Sequence, residues 1–215
     1  MNSHKQHEAI RIITTAAKDY HISLNKKNYL FIYKNKTTNL IEFFESVFLP
    51  RNFQHLTGLD FIDSNKNPIH NASFFFQKCL HSALKENEIQ FKADGTTELK
   101  LQALPLIINF LKSSKMTATY NCSHSKLYID RLVGTTNFCL GFTKDNNYYV
   151  PSSCLLEDIR NLTNTPNQVI AIFSKHADKS ITTYTDIRYI SKKIDLSQLI
   201  LPAELLCKLK QPLCD

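Results

Sequence analysis

Phe138-Cys139-Leu140-Gly141-Phe142-Thr143-Lys144-Asp145-Asn146-Asn147-Tyr148-Tyr149-Val150 holds two short runs of aromatic and branched residues around a polar centre. Asp145-Asn146-Asn147 are residues that bond to their own backbone and tolerate tight turns, so the two runs pair as antiparallel strands. The same pattern extends upstream. Residues 116–120 and 126–132 are further short segments set off by polar or glycine-containing turns, and the four together form an antiparallel meander. Downstream, Pro151-Ser152-Ser153 is expected to open a short helix through Leu155, Leu156, Ile159 and Leu162, with the serines as caps. Residues 169–173 and 183–189 supply two more strands, and 202–209 a terminal helix.

The amino-terminal half is more helical. Ala9, Ile12, Ile13, Ala16 and Ala17 recur at helical spacing up to Asp19-Tyr20. Residues 29–33 and 40–44 read as strands joined by a hairpin turn over 34–39, and a loop is expected from Pro50. Asn71-Ala72-Ser73 caps a helix through Phe74, Phe75, Cys79, Leu80 and Leu84. Gly95-Thr96-Thr97-Glu98 opens another through Leu99, Leu101, Leu104, Ile107, Ile108 and Leu111, kinked or divided at Pro105. With no repeat, low-complexity tract or linker, the fold class is α+β in one domain: an antiparallel β-sheet packed with several helices.

Composition narrows the function less than it first promises. The 215 residues are 43% hydrophobic, which supports a sizeable core and excludes wholesale disorder. No apolar stretch reaches the roughly 18 residues of a membrane span, and Met1-Asn2-Ser3-His4-Lys5 leads into no apolar signal region, so a cytoplasmic location is expected. The formal charge of +7 divides almost evenly, with 13 Lys+Arg against 10 Asp+Glu in residues 1–100 and 13 against 9 in 101–215. Only five of the 26 cations are Arg, and a plain solvated surface accounts for the excess as well as nucleic-acid binding does. The six cysteines lie at no zinc or redox spacing and are expected to be free, mostly buried thiols, so neither a metal nor a cofactor is expected. Four glycines build neither a phosphate loop nor a dinucleotide fingerprint, and no G-x-S-x-G, H-E-x-x-H or clustered acidic set occurs.

Three segments set polar residues among large apolar ones: 49–59, with Arg51, His55 and Thr57; 120–134, with His124, Lys126, Tyr128 and Arg131; and 141–153, with Lys144, Ser152 and Ser153. Asn52-Phe53-Gln54-His55-Leu56-Thr57-Gly58, Gly95-Thr96-Thr97-Glu98-Leu99-Lys100, Leu127-Tyr128 through Gly134, Cys139-Leu140-Gly141-Phe142 and Asn147-Tyr148-Tyr149-Val150-Pro151 resemble, in this order and with these gaps, the phage-associated nucleases grouped with barnase, EndoU, the colicin tRNases and RelE, the BECR fold. The resemblance is closest to the fourth phage subfamily. It makes residues 29–194 a BECR-like nuclease domain, preceded by an amino-terminal helix (1–28) and followed by a carboxy-terminal helical tail (195–215). It implies a metal-independent endoribonuclease, with a toxin or mobile-element role and tRNA or mRNA as substrate.

In such a reaction the ribose 2′-hydroxyl attacks the adjacent phosphate, which needs a base, an acid and a cation. Histidine, with an ordinary pKa of about 6.5, serves either proton-transfer role, and Lys or Arg holds the developing charge. The catalytic candidates are therefore His55, Thr57, Lys126 and Arg131, with His124 an alternative base. Thr57, two residues after His55, is expected on the same side of an extended backbone. On a strand over 126–132, Lys126 and Arg131 face opposite sides, so both enter one cleft only across a bend. The substrate-binding candidates are Arg51, Tyr128 as a base-stacking ring, Lys144 and Ser153. Two other readings stand beside the enzyme, whose toxin form would have a protein antidote as partner: an inactive module that binds RNA or a protein, and an inhibitor or assembly factor of a mobile element with a protein target.

Overall fold

The computed structural model describes residues 3–120, 128–192 and 194–209. Helix α1 (Ser3–Ser23) leads into the hairpin β1 (Lys27–Lys34) and β2 (Ile41–Phe48), and α2 (Pro50–Thr57) follows directly. Next come β3 (Leu59–Phe61), α3 (Ala72–Leu80), β4 (Ile89–Phe91), α4 (Thr96–Ala103) and α5 (Ile107–Ser113). The carboxy-terminal half is β5 (Met116–Thr119), β6 (Arg131–Gly134), β7 (Cys139–Asp145), β8 (Tyr148–Leu155), α6 (Ile159–Leu162), β9 (Asn167–His176), β10 (Asp186–Ile190) and α7 (Ala203–Lys208).

The main sheet runs β1-β2-β8-β7-β6-β5-β9-β10, and β1 also pairs with β9, so seven strands close into a ring with β10 outside it. Every described pairing in the ring is antiparallel except β2 with β8, which meet in a single parallel pair, Ser46 with Tyr149. Closure explains why β1 reads as a continuous apolar run rather than an alternating one. Its Tyr29, Phe31 and Tyr33 face the helices, while Leu30 and Ile32 pack beneath a cover that includes Tyr184, Leu196, Leu205 and Leu209. The larger core is aromatic: Phe142 is buried and meets Phe31, Phe44, Phe48 and Phe110 with ring centroids 6.0–6.3 Å apart. Such pairs add to the area they bury and lock the curl of the sheet onto the helices.

Most expected elements are present, and the departures have local causes. The α4–α5 helix is divided at Pro105 by a 3-10 turn (Leu104–Leu106), as its missing N–H demands. Asn71 Oδ1 accepts from the Phe74 N–H and caps α3, which ends at Leu80, short of Leu84. The loop expected from Pro50 is instead α2, with Pro50 at its first position and Gly58 at its end. The strand expected over 126–132 starts only at Arg131; Lys126 and His124, with Cys122 and Cys214, lie outside the described residues. Pro151-Ser152-Ser153 starts no helix but lies inside β8, at a shift in register where Pro151 stands opposite Phe142. A proline is tolerated in a sheet at such an irregularity, because its absent N–H costs no ladder bond there. The short helix comes later, with Asp158 accepting from the Arg160 N–H at its start. Cys79, Cys139 and Cys154 are free and buried, and Cys207 is free and exposed.

Candidate functional site

The site is built on α2. Tyr20 packs on Phe48, Phe53 and Phe76 and donates its hydroxyl to the Leu49 carbonyl at 3.0 Å, anchoring the turn before the helix. The Leu49 N–H donates to Asn52 Oδ1, which closes that turn. Phe53 and Leu56 go into the core; Arg51 and His55, four residues apart, share the open face. Helix α2 ends at Gly58, which has a φ of 68° and receives the Thr97 hydroxyl on its carbonyl at 2.6 Å. A Cβ at Gly58 would lie 3.2 Å from Thr97 Cα, so glycine serves both the left-handed turn and the close approach of α4. Gly58→Ala is expected to destabilise the fold by about 1–2 kcal/mol from the left-handed strain alone, read as a lower denaturation midpoint at an unchanged slope.

That approach delivers Lys100. Its Nζ donates to the His55 carbonyl at 2.9 Å, which fixes an ammonium beside the imidazole. From behind, the Cys154 thiol on β8 donates to the Leu56 carbonyl, and burial pushes it up to about 12, so it is a packing group rather than a nucleophile. Partial burial, then the charges of Lys100 and Lys92, hold His55 below the ordinary histidine range; burial chiefly, aided by Lys92, lowers Lys100. The ring of His55 therefore stays neutral, and able to accept a proton, further into the acid range than a free histidine.

These groups line a cleft of about 840 Å³ whose other walls come from the start of α3 and from β7 and β8. His70 and Ser73 stand on the α3 side, and Thr143, Lys144 and Ser152 on the sheet side. The Thr143 hydroxyl donates to the Tyr128 carbonyl at 2.8 Å and lies 3.0 Å from Ser152 Oγ, and the Lys144 N–H donates to Asp130 at 2.7 Å. Tyr128 is 91% exposed at the cleft. Arg51 pairs with Asp145 at 2.8 Å across the cleft wall. A smaller cavity of about 340 Å³ adjoins, and His55, His70 and Lys100 line it too, together with Lys92.

Of the expected site residues, His55, Arg51, Tyr128, Lys144 and Ser153 all line the cleft. Ser153 is buried and its hydroxyl has no bonding partner among the described residues. Thr57 is not beside His55 on an extended backbone: the segment is helical, and its buried hydroxyl donates to the Gln54 carbonyl and accepts from the Leu59 N–H. Arg131 leaves the cleft as well. Its guanidinium lies 4.6 Å from the Phe44 ring centroid and 5.4 Å from those of Tyr33 and Tyr149, and donates to the Tyr33 hydroxyl. Lys100 and His70 are the additions. Lys100 had a signal, since Thr97 and Lys100 share a face of α4; His70 had none beyond preceding the cap at Asn71.

Across residues 12–193 the chain matches the model of one family, described as phage-Barnase-EndoU-ColicinE5/D-RelE like nuclease4. The chain belongs to that family. The match covers most of α1, the whole ring of strands and every described cleft residue of this BECR-family protein. No curated protein and no solved structure matches the chain. The family makes a nucleic acid the substrate class of the BECR nuclease, and the cleft brings together His55, His70, Arg51, Lys100 and Lys144. Among the described residues no three His, Cys, Asp or Glu side chains gather to hold a metal ion, and no helix is long and apolar enough to cross a membrane.

Proposed function

We propose that the protein cleaves RNA by attack of the ribose 2′-hydroxyl on the adjacent phosphate, giving a 2′,3′-cyclic phosphate and a 5′-hydroxyl end. The observation that carries this reading is the meeting of His55, His70 and Lys100 in one cleft that also carries Lys144 and an exposed Tyr128. His55, neutral at physiological pH, takes the 2′-hydroxyl proton. His70, from the facing wall, donates a proton to the leaving 5′-oxygen. Lys100 and Lys144 stabilise the charge that builds on the phosphate oxygens, and a ring such as Tyr128 stacks a base without regard to sequence.

The test is direct. Purified protein and RNA are incubated with a chelator and with added divalent metal, and product ends are typed. Cleavage with cyclic phosphate ends in both conditions is expected. Intact RNA in both conditions, or 5′-phosphate ends that form only with metal, overturns the proposal.

A further inference from the structure

A second cavity, of about 530 Å³, lies against the cleft, and the two share the Arg51–Asp145 ion pair as their common wall. We infer that this cavity binds a nucleotide outside the two that the scissile phosphate joins in the cleft, so that a single strand passes over the Arg51–Asp145 pair from one to the other. The inference rests on the proposal that the cleft takes RNA.

The cavity sits at the amino-terminal end of β1. Cross-strand register puts Asn28 of β1 between Val47 of β2 and Lys175 of β9, and all three line it. Its cations are at different distances from freedom. Lys175 is buried and donates to the Ile181 and Thr182 carbonyls, and Lys208 pairs with Glu45 at 2.8 Å. Lys179 is exposed and has no ion pair among the described residues, which leaves it available to a backbone phosphate. Tyr148, the first residue of β8, brings an aromatic ring to this cavity as Tyr128 does to the cleft.

Each cavity therefore carries a ring and a lysine that has no ion pair among the described residues, although Asp178 also lines the second, and rings with cations along one groove are how single strands are held without base reading. The wall between them adds to the case. Arg51 is the only arginine of either cavity among the described residues, and its partner Asp145 is a carboxylate that a phosphate passing over the wall can replace at the guanidinium. A volume of about 530 Å³ lies in the range of small-ligand sites and accommodates one nucleoside unit.

The experiment compares a dinucleoside monophosphate with an RNA hexanucleotide, using the wild-type chain and Lys179→Glu. Wild-type kcat/KM is expected to be at least about tenfold higher on the hexanucleotide, and Lys179→Glu to lose that gain while cleaving the dinucleotide at the wild-type rate. Binding of a fully 2′-deoxy hexanucleotide, which such a nuclease cannot cut, is measured in parallel. Lys179→Glu should flatten its log K against log salt by about 0.7, the share of one phosphate contact on a single strand. A hexanucleotide cleaved no better than the dinucleotide, or a variant unaffected on both substrates, overturns the second subsite. Should the wild type cut neither substrate, the cleavage reading falls by itself, and the salt slope then decides the subsite: flattened supports it, unchanged overturns it.

Discussion

Replacing His55 by alanine is expected to lower RNA cleavage by about 10²–10⁴-fold, the usual contribution of a positioned proton-transfer group, with the fold intact. The reason lies in how α2 is made. Phe53 and Leu56 anchor the helix in the core and Gly58 ties its end to α4, whereas the His55 ring sits on the open face and forms no hydrogen bond among the described residues. Truncating a ring that is only partly buried and makes no hydrogen bond shifts stability by about 0.5 kcal/mol. Activity and thermal unfolding measured on the same preparation separate the two effects. A folded His55→Ala protein that cleaves at the wild-type rate would remove His55 from the mechanism and leave His70 or His124 as the base to test.

Lys100→Met should cost about 10²–10³-fold in kcat, the scale of removing one preorganised group that stabilises transition-state charge. It also makes a second prediction that a merely structural lysine would not. After burial itself, Lys100 is the strongest influence holding His55 below its ordinary range. Without it, the imidazolium is less disfavoured, so the His55 pKa rises towards about 6.5. The acid limb of kcat/KM, where activity disappears as His55 gains a proton, should move up in pH. Methionine preserves the apolar stem that packs against Gly58, where an added Cβ would lie 2.9 Å from Lys100 Cδ. Lys92→Gln should move the limb in the same direction by less, since Lys92 is the lesser of the two charges. Titration of the His55 ring by proton NMR checks both without reliance on activity; an unmoved titration in Lys100→Met would sink the pairing.

Much of the architecture follows from local pattern. The Asp145-Asn146-Asn147 turn, the Asn71 cap and the break at Pro105 are local events, set by residues that bond to their own backbone or lack an N–H, and each occurs where its chemistry puts it. Local pattern also held the signals for α2: a proline at the first position, a buried pair three residues apart and a glycine at the end. They are weak, because eight residues make barely two helical turns and Arg51, Asn52 and His55 dilute the apolar face. Pro151 carries the opposite ambiguity. It is as good a helix opener as a strand irregularity, and only its pairing partner Phe142 decides between them.

What the sequence alone determined is the family and the α+β class; of its candidate residues His55, Thr57, Lys126, Arg131, Arg51, Tyr128, Lys144 and Ser153, it could not say which share one cleft. What only the tertiary structure decided is which side chains share a space. Lys100 is 45 residues from His55 along the chain and reaches it because Thr97 bonds the Gly58 carbonyl and glycine lets α4 approach. Arg131, close in sequence to Tyr128, goes elsewhere because an aromatic box of Tyr33, Phe44 and Tyr149 lies beside its strand. Periodicity records which way a residue faces within its own element. The cleft depends on how separate elements pack, and that packing is set by long-range contacts such as the closure of β1 onto β9, which no local window contains.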